Sequence, residues 1–229
     1  MDLDSGLDWF PLYLSLRVAA LSTIFVVIAG TAVAYLLSHR NFPGKNLLDS
    51  VLTLPLVLPP TVLGYYLLVT VGRSSPLGHV YESLVGHPLV FTWHAAVVAA
   101  VLHSAPIYIK AARAVLEEID YRYEWAAQSF GASEWRTFWR VTLPLAQAGL
   151  YPLAALAFAR SLGDFGVTIM VAGNIPGQTQ TLSVAIYDAV ESGNGQLART
   201  LVLIVSAAAL ALLWPGSYLL RSSRRREGA

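Results

Sequence analysis

There is no cysteine among the 229 residues. That excludes disulfide bonds, thiolate metal sites and cysteine nucleophiles, and it leaves the redox compartment open. Charge is scarce as well. Asp, Glu, Lys and Arg make up 13% of the chain, against about 25% in an ordinary soluble domain. So few charges cannot coat a water-soluble surface of this size. The formal net charge of +1 gives no footprint for nucleic acid. A Gly-x-x-x-x-Gly-Lys-Ser/Thr phosphate loop is missing, which removes that route to nucleotide binding. No grouping of His, Asp or Glu has the spacing of a zinc or iron site. The chain begins Met1-Asp2-Leu3-Asp4, acidic where a secretory signal peptide would be basic, so the first apolar run is expected to be retained. Neither an internal repeat nor a low-complexity linker divides the sequence, and it is read as one domain over residues 1–229.

What is present is apolar sequence. Hydrophobic residues make up 55% of the chain, and the mean hydropathy is +0.56. A membrane-spanning helix needs about 20 mostly apolar residues. Val18 to Leu37 is such a run, without a charge. Val51 to Val71 is a second, interrupted by Pro55, Pro59 and Pro60. Leu89 to Ile109 is a third, with His94 and His103 inside it. Leu143 to Ala159 is a fourth and extends towards Phe165, and Thr200 to Leu220 is the fifth. Thr168 to Ala172 and Thr181 to Tyr187 are apolar but too short to span. Together they suit a sixth, broken span or a re-entrant element.

Orientation follows from the basic residues in the connecting segments. With five spans and the N-terminus outside, the cytoplasmic segments hold Arg40, Lys45, Lys110, Arg113, Arg122, Arg136, Arg140, Arg221, Arg224, Arg225 and Arg226. The outer segments hold only Arg17, Arg73 and Arg199. The reverse orientation would place the basic tail outside and violate the rule. The tail is expected to meet anionic headgroups.

The largest cytoplasmic loop, residues 117–144, lies between the third and fourth spans. Tyr123 to Phe130 reads as a short amphipathic helix, which Gly131 ends by taking the left-handed cap conformation. Ser133 suits the N-cap of a second short helix through Arg140, and Pro144 suits the first turn of the next span. By composition alone this loop is an interfacial helix on the inner leaflet.

The spacing says more. Ala126-Ala127, three residues, Gly131, nine residues, Val141, one residue and Leu143-Pro144 closely resemble the coupling loop of ABC importer permeases. One position departs: the glutamate usual directly before the two alanines is Trp125 here, with Glu124 one place earlier. The resemblance covers nearly the whole chain. Asn41 to Lys45, Leu54 to Tyr65, Ala157 to Gly166, and Gly173 to Leu182 with Ala185-Ile186-Tyr187 are similar to the permeases of molybdate importers. Sulfate and tungstate permeases remain alternatives.

The resemblance implies an all-α integral membrane fold of the type I ABC importer, with five core spans and a cytoplasmic coupling helix. It implies a homodimer, two copies of an ATPase subunit docked on the coupling loops, and a periplasmic or lipoprotein oxyanion-binding protein. ATP and Mg would belong to the ATPase, with no cofactor and no catalytic residue on this chain. Glu124, Trp125, Ala126, Ala127, Gly131, Leu143 and Pro144 become the ATPase-coupling residues. The loop Gly173 to Thr181 becomes a surface for the binding protein and the outer gate.

Within the spans, Pro55, Pro59 and Pro60 remove backbone donors that lipid cannot replace, and Thr61 and Gly64 suit close helix approach. They fit either a packed kink or a segment lining the translocation pathway. Arg160 and Asp164 stand four residues apart and on one helix would pair. They fit either an internal ion pair or a positive site in the path of an oxyanion. His94 and His103 lie nine apart, on different helix faces, and read as helix-packing residues. Tyr65, Tyr66, Trp93, Tyr151, Trp214 and Tyr218 read as interfacial anchors or packing residues. A secondary transporter or channel would need coupling-ion carboxylates in the spans, where only Asp164 qualifies. A membrane enzyme would need clustered His, Asp or Glu at one depth.

Overall fold

A computed structural model describes the backbone of residues 8–224 and the side chains of residues 8–211. Trp214, Tyr218 and the basic side chains from Arg221 to Arg226, expected as anchors and tail, lie outside the described side chains. Among the described residues the chain is helical throughout, with no strand.

Among the described residues three helices are long and apolar enough to cross a bilayer: Phe10–His39, Trp93–Glu117 and the continuous stretch Glu134–Leu162. The first is α1 and follows from the charge-free run around Val18 to Leu37. The second apolar run is not one continuous helix. It divides into α2 (Lys45–Val57) and α3 (Pro60–Val71), whose axes are bent by 119° at the break. The cause is local. A residue before proline is pushed out of the helical region, and here Leu58 and Pro59 both precede one. Both sit extended, at ψ 141. Pro60 then opens α3, and Pro55 is tolerated inside α2.

A short helix α4 (Pro76–Val85), capped by Ser75 Oγ accepting from the Gly78 N–H at 2.8 Å, leads to α5 (Trp93–Glu117). Next comes α6 (Tyr121–Ser129), then α7 (Glu134–Thr137). A π turn over Phe138–Thr142 joins α7 to α8 (Leu143–Leu162). Pro144 therefore lies inside one continuous helix rather than at the start of a separate one. It has no N–H to offer the Arg140 carbonyl. The π turn widens the helix just before it, and the Leu143 N–H reaches back to the Phe138 carbonyl. Two short helices follow, α9 (Gly166–Ala172) and α10 (Leu182–Glu191). Neither is long enough to span, as expected of the apolar stretches there. The fifth run lies within α11 (Gly195–Arg224).

The bundle is held by close approach of small residues, as membrane interiors require when lipid is as apolar as leucine. The α1, α5 and α8 core joins Val26, Ala34 and Leu37 to Tyr108, Ala112, Leu116, Ala146 and Leu150. A Cβ on Gly30 would stand 2.8 Å from Tyr108 Cδ1, so glycine is required there. The same contact places the Tyr108 hydroxyl 2.8 Å from Thr31 Oγ1. A second core joins Leu14 and Val18 of α1 to Leu63 and Leu67 of α3, the alanines of α5, and Val167 and Val171 of α9. Outward, α1 presents Ile24, Phe25 and Ile28, an apolar face suited to lipid.

Candidate functional site

Two groups of expected residues come together, at different depths. The first is at the end of the bundle that carries α6. Asp120 caps α6 by accepting from the Arg122 N–H at 3.0 Å. The helix ends as its glycine predicts. Gly131 has φ +86, and the Ala132 N–H reaches back to the Ala127 carbonyl at 3.2 Å, a Schellman closure. Ser133 caps α7 as expected.

The departure at Trp125 has a structural explanation. Trp125 points outward and is 65% exposed, whereas Glu124 is buried. Thr142 Oγ1 donates to Glu124 Oε1, and His39 Nε2 lies 3.1 Å from the same oxygen. One carboxyl group thus ties α6 to the last residue of α1 and to the π turn that leads into α8. Ala126 is exposed and Ala127 half-buried. Around them Tyr121, Tyr123, Trp125, Phe130, Trp135 and Trp139 are all exposed, an aromatic surface that no described residue covers. Leu143 is half-buried and Pro144 exposed. Behind this surface Asp49 of α2 meets Lys110 Nζ at 2.6 Å and Arg113 Nη1 at 3.5 Å, fixing α2 to α5. The spacing had flagged the loop. His39 and Thr142 carried no signal, because their roles depend on a contact across the bundle.

The second group lies about 15 Å along α5 from Trp93, by ten residues of helical rise. Arg160 and Asp164 do not pair as their spacing predicted. The helix ends at Leu162, so Asp164 falls off the face that carries Arg160. His103 of α5 stands at both instead. Arg160 Nη2 lies 2.9 Å from His103 Nε2, and His103 Nδ1 lies 4.0 Å from Asp164 Oδ1. Asp164 is 4% exposed and accepts from Thr168 Oγ1 at 2.6 Å. Ser161 Oγ donates to Ser104 Oγ at 3.2 Å, locking α8 against α5 at the same level. His103 thus joins α5 to α8 through polar contacts. Its signal is an ionisable side chain well inside an apolar run, a functional-site marker by default in a membrane.

The two backbone breaks meet here. A Cβ on Gly166 would stand 2.5 Å from Pro60 Cβ, and one on Gly64 would stand 2.6 Å from Met170 Cβ. The Pro59–Pro60 break is therefore packed against the Gly163–Gly166 break. Irregular backbone at membrane depth is tolerated only within protein or beside water. Pro59, Pro60 and Thr61 remain exposed on the isolated chain, while Pro55 is half-buried within α2 and no contact described for it joins it to this group.

At the opposite end from α6, an open cavity of about 1100 Å³ is lined by Arg17, Arg73, Trp93, His94, Gln178 and Thr179, among others. The Arg17 guanidinium lies 3.9 Å from the centre of the Trp93 ring. The loop from Gly173 is ordered: Gln180 Nε2 donates to Asn174 Oδ1, and Asn174 Nδ2 to Asp188 Oδ1, each at 2.8 Å. Among the described residues no group of three or more His, Cys, Asp or Glu could hold a metal ion.

The all-helical bundle, with its two backbone breaks packed together and a surface helix at one end, has the fold of a type I ABC importer transmembrane domain, as the family match and the solved structures show. The chain belongs to the family described as "Binding-protein-dependent transport system inner membrane component", which matches residues 26–226. The molybdenum transport system permease protein ModB of Escherichia coli K12 is 43% identical, over 96% of this chain and 97% of that one. The putative molybdenum transport system permease protein YvgM of Bacillus subtilis is 42% identical, over 89% and 90%. The sulfate transport system permease protein CysT of Escherichia coli K12 is 34% identical, over 86% and 70%. Among solved structures, a chain of the inward-facing MetNI methionine ABC transporter superposes with a TM-score of 0.73 at 18% identity, covering 96% of this chain and 99% of that one. A chain of a bacterial alginate ABC transporter gives 0.71 at 14%, covering 96% and 80%.

Proposed function

We propose that this chain is the membrane-spanning permease of an ATP-driven importer that carries molybdate across the cytoplasmic membrane by alternating access. The observation that carries the mechanism is α6, whose exposed aromatic face stands on a buried Glu124 anchored to α1 and α8. A motor docked on that face would move the helices behind it as one body. Two copies of an ATPase subunit, holding ATP and Mg, dock on the coupling helices of a homodimer. An extracytoplasmic binding protein delivers the oxyanion at the end that carries the 1100 Å³ cavity. The N-terminus lies outside and the C-terminus in the cytoplasm, a reading that the basic residues of the connecting segments support.

The pathway runs beside the paired breaks at Pro59–Pro60, with Thr61, and at Gly163–Gly166. Arg160 supplies positive potential there for the passing anion. ATP binding favours one of two conformations and hydrolysis resets it, which is what differential affinity for two states means. Molybdate is the substrate that the 43% and 42% identical relatives support by name. Sulfate is the second reading, supported by relatives at 34–35%.

The test is uptake into proteoliposomes reconstituted with the ATPase subunit and the binding protein, with labelled molybdate, tungstate and sulfate in competition. ATP-dependent molybdate uptake is expected. Uptake at full rate without the ATPase would refute the reading. In the same vesicles Arg160→Ala slows uptake while the ATPase remains bound.

A further inference from the structure

The ion pair that the spacing of Arg160 and Asp164 allows is absent: α8 ends at Leu162, and a third residue stands at both side chains. His103 reaches from α5 and offers one ring nitrogen to each. A guanidinium has no acceptor, so the 2.9 Å contact requires His103 Nε2 to accept from Arg160. The ring proton then sits on Nδ1, facing Asp164 Oδ1 at 4.0 Å. Asp164 is held from its far side by Thr168 Oγ1. The imidazole takes one guanidinium donor, and Arg160 Nε is buried with no partner among the described residues. A direct pair would be different. A carboxylate binds a guanidinium through two parallel hydrogen bonds and cancels its charge.

We propose that His103 is a positioning residue that keeps Arg160 off Asp164, so that the guanidinium keeps its charge uncancelled for a tetrahedral oxyanion in transit. This rests on the reading of Arg160 as a pathway residue. Arg160 fixes the tautomer of the imidazole, and Asp164 faces the protonated Nδ1 at 4.0 Å. Without the ring, the arginine side chain is free to swing to the carboxylate four residues on. The α8 break takes that carboxylate off the face of Arg160 and leaves room for the His103 ring to contact both.

The test is a double-mutant cycle on molybdate uptake in proteoliposomes holding the permease, its ATPase and the binding protein. The variants are Arg160→Ala, His103→Ala, Asp164→Asn and His103→Ala with Asp164→Asn. His103→Ala is expected to lower uptake about tenfold, because the arginine is captured, and the double variant to recover at least about half of the Asp164→Asn rate. A merely structural loss at His103 would not be repaired by removing a charge from Asp164. His103→Gln, which keeps an acceptor for Arg160, is expected to retain more uptake than His103→Ala. Should His103→Ala fail to assemble with the ATPase, His103→Ser takes its place with the same expectation. A double variant as slow as His103→Ala, with Arg160→Ala also slow, overturns the positioning role and leaves the pathway reading intact. Wild-type uptake by Arg160→Ala overturns both.

Discussion

Replacing Glu124 with alanine tests the link between the surface helix and the bundle. Two contacts vanish at once. Thr142 is fully buried and its hydroxyl donates to Glu124 Oε1. His39 Nε2 lies 3.1 Å from the same oxygen, with its side chain 23% exposed. A hydrogen bond to a charged group is worth about 1.5–3 kcal/mol, and a buried donor left unpaired costs about 1–3 kcal/mol. The His39 contact, partly wet, belongs at the low end. The two together give about 3 kcal/mol for holding α6 against α1 and α8. At about 1.4 kcal/mol per factor of ten, that is roughly a hundredfold shift towards the detached helix. The assay is hydrogen exchange at the amides of residues 121–131 in nanodiscs, with uptake and ATP hydrolysis measured in parallel. Glu124→Ala is expected to speed exchange there and to lower molybdate carried per ATP hydrolysed. Thr142→Val should reproduce part of both effects. Wild-type exchange in Glu124→Ala, with transport still coupled, would refute the anchoring argument.

Other outcomes follow from the same contacts. Gly64→Ala sets a Cβ 2.6 Å from Met170 Cβ, an overpacking that costs about 1–3 kcal/mol, so the thermal midpoint in detergent should fall by several degrees. Gly131→Ala meets no neighbour within 4 Å but forces a side chain onto φ +86. Its cost is backbone strain alone, about 1 kcal/mol, and Gly131→Asn should cost less; exchange of the Ala132 amide measures both. Tyr108→Phe removes the hydroxyl 2.8 Å from Thr31 Oγ1 in the α1–α5 seam, and about 1 kcal/mol of stability should go with it. Since the chain has no cysteine, single substitutions report topology without background. Ser129→Cys should react with an impermeant maleimide only from the cytoplasmic side, and Gln178→Cys only from outside. Labelling of Ser129→Cys in intact cells would reverse the orientation.

The sequence by itself determined the class of the chain and its conspicuous local features. Low charge and long apolar runs required a bilayer, because neither periodicity nor capping can hide so much apolar surface from water. Gly131 ended α6 and Ser133 capped α7 for reasons confined to a few neighbouring residues. Paired prolines required an interruption near residue 59, since a missing N–H and a clash with the preceding residue act locally. The size of that interruption was decided by tertiary structure. A sequence cannot distinguish a kink from a 119° turn, because the direction taken depends on where α3 finds α9 to pack against. The same limit hid the two polar anchors. Glu124 meets His39 across 85 positions of the chain, and Arg160 meets His103 across 57. Spacing along one helix predicts partners only while the helix continues. At Leu162 it stops, and the partner of Arg160 was then set by the neighbouring helix.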